Sequence, residues 1–321
     1  MAGNAGAGPG RGEHEALARL SRLLPSAPEG EVWFGDDAAV LQPAPGGALF
    51  AVDTVVAGVD ADLSLTTLSD RGWKAMAVNL SDIAAMGGAP SYAVVSVVGL
   101  GPRDLESLYE GVLAAAEEYR CPVVGGDLSS GRQVVVTVAV TGSVDGPPVL
   151  RRGARPGDTI WVTGPLGAAA AGLRVLRGRR SQGTRQRPTA EEEVLVSAHA
   201  RPRPALVAGA VARHAGATAM IDVSDGLVAD LGQLASQSGV GFELAEVPVA
   251  AGATRQEALG GGEDFVLVFT MRPGAAEGVA RQAFATAGLP APLLIGECVP
   301  DVSRHFLAGA VVQVAGWEHS L

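Results

Sequence analysis

The chain has 321 residues and a formal net charge of −10, with 47% hydrophobic and 18% charged residues. Its length suits two domains, and its composition can bury a large core, which excludes a globally disordered chain. So acidic a chain is unsuited to binding nucleic acid through phosphates, and no apolar run approaches the ~20 residues that span a membrane. Because the N-terminus also lacks the apolar segment of a signal peptide, we expect a cytoplasmic protein with no nucleic-acid or membrane partner.

The elements predicted for the first half alternate strands with helices. Between residues 32 and 144 they read roughly β-β-α-β-α-β, which predicts an antiparallel or mixed sheet covered by helices. Ser69 is a suitable N-cap for the first long helix, and Gly87 is a suitable stop for it. The predicted ranges are a helix over 13–24, a strand over 48–56, a helix over 69–87, a strand over 93–98, a helix over 104–119 and a strand over 133–144.

A turn-rich, charged segment follows and predicts a domain boundary near residue 148. The boundary would separate an N-terminal domain over 1–148 from a C-terminal α/β domain over 149–321. The basic stretch over 177–188 reads as an exposed loop. Strands are predicted over 159–163, 219–223, 242–244, 265–270, 293–297 and 311–314, with helices among them.

The sequence excludes the common kinase motifs. Lys74 is the only lysine and Ala75 follows it, so the Gly-Lys-Ser/Thr of a P-loop is absent. The lysine, His-Arg-Asp and Asp-Phe-Gly set of protein kinases is absent as well. Cys121 and Cys298 lack the spacing of a zinc site. Any binding or transfer of phosphate must therefore use residues outside these known motifs.

Acidic residues recur at predicted turns and element ends, mostly beside Gly, Ser or Thr, unlike surface acids scattered along helix faces. Taken singly, each has a structural explanation as a turn or capping residue. For the GDDAAVL segment and for Asp82 the functional alternative is a hard-cation site, because carboxylates are preferred ligands of Mg²⁺, whose remaining ligands are waters and phosphate oxygens. The acidic residues at these turns and element ends are Asp36, Asp37, Asp53, Asp82, Asp127, Asp222, Asp225, Glu263 and Asp264.

The segment over 219–236 is the most informative. Asp222 and Ser224 fall on one side of a short strand, and Asp225 follows at the start of a helix. One acid at a helix start is explained as a cap, but two acids and a serine exceed what capping needs. A helix N-terminus also attracts phosphate.

Two further positions have both a functional and a structural explanation. Gly126, in a Gly-Gly-Asp sequence after a short predicted strand, either lets the backbone approach a ligand or belongs to an ordinary turn. Arg152 either grips a phosphate with its guanidinium or is a solvated linker residue.

Several stretches, taken in chain order, carry a family resemblance. The most specific are NLSDIAAMGG (79–88) and DVSDGLVADL (222–231), accompanied by GDDAAVL (35–41), VVGGD (123–127), GGEDF (261–265) and GWEH (316–319). Together they resemble the thiamine-monophosphate kinase family, within the aminoimidazole-ribonucleotide-synthetase-like superfamily. The resemblance implies ATP-dependent phosphorylation of thiamine monophosphate to thiamine diphosphate with several Mg²⁺ ions. It also implies an α+β and α/β two-domain fold: an N-terminal mixed-sheet domain that binds ATP and magnesium and forms a β-barrel homodimer, and a C-terminal α/β sandwich domain.

The resemblance also implies roles for individual residues. Magnesium ligands would be Asp37, Asp53, Asp82, Asp127, Asp222 and Asp225, with Asp222 and Asp225 central to catalysis. Contacts with ATP would be Tyr109, Gly126, Asp127, Arg152 and Ser224, and contacts with the thiamine end would be Asp60, Glu263 and Trp317. Ala51 and Val52 stand where the family usually has hydroxyl residues, and Asp60 stands where it usually has a substrate-contacting histidine.

These departures leave two other interpretations open: a related phosphoryl-transfer enzyme with a different small substrate, and a non-catalytic sensor of nucleotide or thiamine phosphate. Selenophosphate synthetase and the hydrogenase maturation factor fit less well. The former relies on an N-terminal cysteine and the latter on a C-terminal one, whereas residues 1–34 contain no cysteine and the sequence ends GWEHSL. For a kinase, we expect direct transfer, because no Ser/His or Cys/His nucleophile pair stands out.

Overall fold

A computed structural model describes residues 20, 22–26, 28–29, 47–58, 62, 64–183, 187–274 and 276–314. These residues divide into two compact units. As far as the ranges are described, the first unit takes in 50–79 and 90–142, and the second takes in 45–49, 80–89 and 143–321. The predicted helix over 13–24 lies largely outside the described residues, and the GDDAAVL segment lies wholly outside them.

The first half of the described chain folds as β1 (Gly47–Val56), α1 (Leu68–Ala85), β2 (Ala89–Val98), α2 (Pro102–Glu118), β3 (Val123–Ser129) and β4 (Val135–Val144). The strands form a four-stranded open sheet in the order β1-β4-β2-β3, with β2 and β3 parallel. The predicted alternation of strands and helices in this part of the chain is therefore confirmed.

One strand extends further than the sequence suggested. The sequence predicts a short strand before the Gly-Gly-Asp sequence and leaves Gly126 either in a turn or beside a ligand, but β3 continues through this sequence to Ser129. Gly126 makes the continuation possible, because a Cβ at this position would lie only 2.0 Å from the carbonyl oxygen of Val95 on the neighbouring β2. The glycine is thus required by strand pairing.

Two glycines allow α1 and α2 to cross at close range. A Cβ at Gly72 would lie 2.0 Å from the Leu108 carbonyl oxygen, and a Cβ at Gly111 would lie 1.7 Å from the Ser69 carbonyl oxygen. No larger residue fits either position without a shift of the helices. Burial along α1 extends to Lys74, which is only 7% exposed.

The second half contains β5 (Thr159–Val162), α3 (Ala168–Ser181), α4 (Ala190–Ala200), α5 (Leu206–His214), β6 (Ala219–Asp222), α6 (Leu227–Ser238), β7 (Gly241–Leu244), α7 (Arg255–Gly260), β8 (Leu267–Met271), α8 (Ala276–Thr286), β9 (Leu293–Val299), β10 (His305–Leu307) and β11 (Ala310–Val311). The sheet order is β11-β10-β7-β9-β5-β8-β6. It is mixed, because β10 runs parallel to β7 while β5 runs antiparallel to both β8 and β9. In the described part of the chain, no helix has the length and hydropathy needed to cross a bilayer.

Apolar side chains cover both faces of this sheet. Ile160 and Val162 belong to one buried cluster, which includes the inward leucines of α6. Trp161, between them in sequence, belongs to a second cluster with Phe269 of β8 and Phe284 of α8. The alternation along β5 therefore sends side chains into two cores, as the predicted α/β layering requires.

The basic stretch predicted as a loop over 177–188 is partly helical, because α3 continues to Ser181. Arginine has a high helix propensity, so this sequence does not itself end a helix. Arg179 also donates a hydrogen bond to Glu192 of α4, over 3.1 Å. The prediction of a loop was therefore wrong for the first residues of the stretch.

The close crossing of α1 and α2 gives a first prediction. We expect Gly111→Ala to lower the free energy of unfolding by about 1–3 kcal/mol, because the added methyl group overpacks the crossing. Gly178→Ala on α3 is the matched control, since a Cβ there meets nothing within 4 Å. The control should be neutral or stabilising by up to about 1 kcal/mol, because alanine favours the helix. Urea unfolding would measure both, and equal values for the two variants would contradict the close crossing.

Candidate functional site

The strand β6 ends in a buried carboxylate, that of Asp222, which is 3% exposed. The hydroxyl of Ser81, on α1, donates a hydrogen bond to its Oδ2 over 2.6 Å. Burial raises the pKa of Asp222; the Ser81 hydrogen bond and the charge of Arg151 oppose this rise, and the charge of Asp225 reinforces it. Asp82, next to Ser81, is half-buried. Ser81 of the NLSD motif and Asp222 of the DVSD motif therefore meet within the second unit.

The loop that follows Asp222 wraps around a second buried carboxylate, that of Asp230 on α6, which is 1% exposed. Its Oδ2 accepts hydrogen bonds from the backbone amides of Ser224 (3.0 Å), Asp225 (3.1 Å) and Gly226 (3.1 Å). Gly226 has a φ of +118°, a conformation that residues with a side chain rarely adopt. The Asp230 carboxylate thus fixes the backbone that carries Ser224 and Asp225.

These acids form a region of strong negative potential. Burial raises the pKa of Asp230 to about 7, the charges of Asp222 and Asp225 add to the rise, and the amides of Asp225 and Gly226 oppose it. A divalent cation near these carboxyl groups would relieve their repulsion, and their oxygens are the ligands that Mg²⁺ prefers. Within the described ranges, no three His, Cys, Asp or Glu side chains already converge as a metal site.

A glycine-rich loop over 261–265 is held against the loop that follows β6. The amide of Glu263 donates to the carbonyl oxygen of Ser224 over 2.8 Å, and the amide of Phe265 donates to that of Val223 over 2.9 Å. Glu263 and Phe265 have φ angles of +59° and +49°, which are uncommon for residues other than glycine. Such conformations persist where the surroundings enforce them, often at functional sites.

Asp264, in the same loop, has a structural role. Its carboxylate accepts hydrogen bonds from the amides of Gly167 (2.6 Å) and Ala169 (3.1 Å) at the start of α3. Burial raises the pKa of Asp264, and these amide hydrogen bonds oppose the rise. The Asp264 side chain therefore caps a helix, whereas that of Glu263 contacts His199, with Oε2 lying 3.2 Å from Nδ1.

Three side chains predicted to bind metal or ATP lie in the first unit. Asp53 is exposed on β1 and accepts a hydrogen bond from the amide of Thr54 over 2.8 Å. Asp127 is exposed on β3 and accepts a hydrogen bond from the hydroxyl of Ser129 over 3.1 Å. Tyr109 lies on the buried face of α2, where burial raises its pKa to about 12. Their roles toward magnesium and ATP stay predictions.

The arginine predicted to grip a phosphate, Arg152, is exposed. Its neighbour Arg151 is the residue whose charge acts on Asp222, and its Nη1 donates a hydrogen bond to Oε1 of Gln233 over 2.9 Å. The predicted site residues Asp37, Asp60 and Trp317 lie outside the described residues, so their roles also stay predictions.

Two residues that shape the site were not predicted as members of it: Ser81 and Asp230. Ser81 lies inside the NLSD motif, where only its neighbour Asp82 is predicted as a site residue. The sequence does indicate a special role for Asp230, because this acid falls within the apolar stripe of α6, between the buried Leu227 and Leu231. A buried acid in such a stripe requires hydrogen-bond partners.

Comparison with known proteins places this geometry in a family. The chain matches the models for AIR synthase related proteins, the N-terminal domain over residues 35–144 and the C-terminal domain over 155–306. Thiamine-monophosphate kinase of Escherichia coli (strain K12) is 34% identical over 306 residues, which cover 91% of this chain and 91% of that protein.

Solved structures agree with the sequence comparison. The crystal structure of thiamine-monophosphate kinase from Stenotrophomonas maltophilia K279a has a TM-score of 0.80 at 30% identity, covering 92% of this chain and 97% of that chain. The structure of AaThiL complexed with AMPPCP and TMP has a TM-score of 0.75 at 30% identity, covering 96% of each chain.

The contacts of Asp230 give a second prediction. Asp230→Ala leaves the amides of Ser224, Asp225 and Gly226 without their acceptor, so we expect the free energy of unfolding to fall by about 3 kcal/mol or more. Asp230→Asn keeps an oxygen that can accept hydrogen bonds and should lose clearly less. Urea unfolding of both variants would test this. Equal losses would show that the amides do not depend on the carboxylate oxygen.

The raised pKa of Asp230 gives a third prediction. The folded-state pKa of about 7 lies above the unfolded value, which is about 3.9. The folded state therefore holds the proton more tightly, and stability falls as the pH rises from about 4 to about 7. In buffer containing EDTA, the wild type should lose more stability over this pH range than Asp230→Asn. Parallel pH profiles of unfolding free energy would contradict the assignment.

Proposed function

This chain belongs to the thiamine-monophosphate kinase family, and we propose that it transfers the γ-phosphoryl group of ATP to thiamine monophosphate, forming ADP and thiamine diphosphate. The observation that carries the proposal is the DVSD loop, where Asp230 holds the backbone of Ser224 and Asp225, and the Ser224 carbonyl oxygen accepts the amide of Glu263. The relative that was crystallised with AMPPCP and TMP supports the choice of both substrates, since AMPPCP is an analogue of ATP.

In this reaction, a phosphate oxygen of thiamine monophosphate forms a bond to the γ-phosphorus of ATP. The bond from that phosphorus to the bridging oxygen breaks, and ADP leaves with the electron pair. The attacking oxygen is already ionised near neutral pH, so the protein need not supply a strong general base. We propose direct transfer without a phosphorylated enzyme. The task of the chain is then to orient two anions and to offset their repulsion.

The loop amides contribute to this task indirectly. A helix N-terminus can bind phosphate through its amides, but those of Ser224, Asp225 and Gly226 already donate to Asp230. The Ser224 hydroxyl and the Asp225 carboxylate are therefore the groups that this loop can present to ATP and to metal ions. Their backbone is fixed before the substrates arrive, which lowers the entropic cost of binding.

We propose Mg²⁺ as the counter-charge, because the donors are carboxylates that repel one another. When bound, Mg²⁺ would neutralise the negative charge of the phosphate oxygens and align them. The proposed Mg²⁺ ligands are Asp37, Asp53, Asp82, Asp127, Asp222 and Asp225. The proposed ATP contacts are Tyr109, Gly126, Asp127, Arg152 and Ser224. The proposed contacts with the thiamine end of the substrate are Asp60, Glu263 and Trp317. This set rests on the family resemblance.

We further propose a homodimer in which the open sheets of two chains close into a barrel. Phe50 and Val52 on β1 are 74% and 61% exposed, although both are apolar. The hydroxyls of Thr54 and Thr137 lie 3.0 Å apart, so this face continues from β1 onto β4. Val138, which points to the opposite face of β4, is fully buried. Apolar residues exposed together on one sheet face are typical of an interaction surface.

The domain assignment is also part of the proposal. Residues 1–148 would form the domain for ATP and magnesium binding and for dimerisation, and residues 149–321 would form the C-terminal domain. A cytoplasmic location suits the two thiols, Cys121 and Cys298, which are unpaired and buried among the described residues.

The activity itself is tested with ATP, Mg²⁺ and thiamine monophosphate, by measuring formation of thiamine diphosphate. We expect turnover that EDTA abolishes, and a loss of at least about 100-fold in kcat for Asp225→Asn, the range seen when one hydrogen-bond contact to the transition state is removed. Asp104→Asn is the matched control, because Asp104 is an exposed residue at the start of α2. A wild type that binds ATP but forms no thiamine diphosphate would refute the proposal.

The homodimer is tested at the exposed face of β1. We expect wild-type protein to have the mass of a dimer by light scattering, and Val52→Lys to shift it toward the monomer, because a charge would be buried in the interface. Val194→Lys on α4 is the matched control, since Val194 is 69% exposed. A monomeric wild type, or a dimer unaffected by Val52→Lys, would contradict the proposed interface.

A further inference from the structure

A histidine that the proposed chemistry does not use faces the side chain of Glu263. His199 lies near the end of α4 and is 9% exposed, and its Nδ1 is 3.2 Å from Oε2 of Glu263. The approach is not aligned as a hydrogen bond, and within the described part of the chain this enclosed nitrogen has no hydrogen-bond partner. Hydrogen bonds at active sites are often misaligned before substrate binds and become aligned in the complex.

The position of His199 is set by the packing of α3 against α4. A Cβ at Gly172 of α3 would lie 2.0 Å from the carbonyl oxygen of Leu195 and 3.0 Å from Cβ of His199. The two helices therefore approach as closely as a glycine permits. The ring of His199 has little freedom to move away from the glutamate.

The position of Glu263 is set by the same helix. Asp264, the next residue, accepts hydrogen bonds from Gly167 and Ala169 at the start of α3. The amide of Glu263 is bound to Ser224, and its φ of +59° is enforced by the loop. Both members of the pair are thus fixed relative to α3, one at its start and one along its length.

We propose that His199 is a positioning residue for Glu263. It orients the Glu263 carboxylate so that this group accepts a hydrogen bond from the amino group on the pyrimidine of thiamine monophosphate. The inference rests on the proposed function, which supplies that substrate. With Nδ1 of His199 donating to Oε2, the plane of the carboxylate is fixed. An amino group on the pyrimidine can donate to a carboxylate, whereas an oxo group in its place presents a second acceptor and is repelled. The pair therefore selects amino over oxo substrates.

The test compares thiamine monophosphate with oxythiamine monophosphate, in which an oxo group replaces the amino group. We expect His199→Leu to raise the KM for thiamine monophosphate roughly 10- to 100-fold, the equivalent of one hydrogen bond to a charged group. The preference for the amino substrate should fall by a similar factor, while the KM for ATP stays within about twofold. His199→Asn should restore most of both properties, because its amide nitrogen can take the place of Nδ1.

The outcomes separate this inference from the proposed function. If the wild type forms thiamine diphosphate but His199→Leu keeps its KM and its preference, His199 has no positioning role. If His199→Leu and His199→Asn lose activity equally and the KM for ATP rises as well, the role is structural and the inference fails. If the wild type forms no thiamine diphosphate, the proposed function fails and the inference fails with it.

A second variant covers the case in which His199→Leu does not fold. Glu263→Gln leaves the histidine in place but converts the acceptor into a group that can also donate. The preference for thiamine monophosphate over its oxo analogue should then collapse, because the glutamine amide can donate to the oxo oxygen. An unchanged preference in this variant would overturn the inference.

Discussion

One carboxylate oxygen, Oδ2 of Asp230, accepts hydrogen bonds from three consecutive backbone amides at the start of α6. This arrangement determines the path of the chain between β6 and α6, which carries Ser224 and Asp225. The carbonyl oxygen of Ser224 then receives the amide of Glu263, so the second loop takes its position from the first. A carboxyl group buried in the protein interior thus orders this loop in the way that a bound phosphate orders other glycine-containing loops.

The acids of the site fall into two groups according to their hydrogen-bond partners. The carboxylates of Asp230 and Asp264 accept hydrogen bonds from backbone amides, so their oxygens already have donors within the fold. Asp222 has one hydrogen bond from a hydroxyl and lies in the field of Asp225, which raises its pKa further. Asp230 and Asp264 therefore keep the loops in place, whereas Asp222 is one of the acids that we propose as cation ligands.

Local motifs could be predicted from the sequence, but contacts between distant segments could not. Asp222, Ser224 and Asp225 were predicted as a group because strand alternation and a helix start bring them together within four residues. The hydrogen bond from Ser81 to Asp222 joins positions 141 residues apart and depends on how α1 packs in the second unit.

Backbone conformation was the other feature that could not be predicted from the sequence. Positive φ is expected of glycine, so nothing in the sequence indicates it for Glu263 or Phe265. A pair of glycines usually indicates a turn, but β3 continues through Gly126. The close pairing of β3 with β2 leaves no room for a side chain at this position. In both cases the neighbouring segment decides the conformation, and that segment is distant in sequence.

The burial of Lys74 has a practical consequence for studying this protein. Because it is the only lysine in the sequence and the residue is 7% exposed, amine-directed reagents can reach little of its side chain while α1 stays packed. We expect acylation of this side chain to be faster when the first unit opens. Its rate would therefore report the equilibrium between the packed and opened forms of that unit, without an engineered probe.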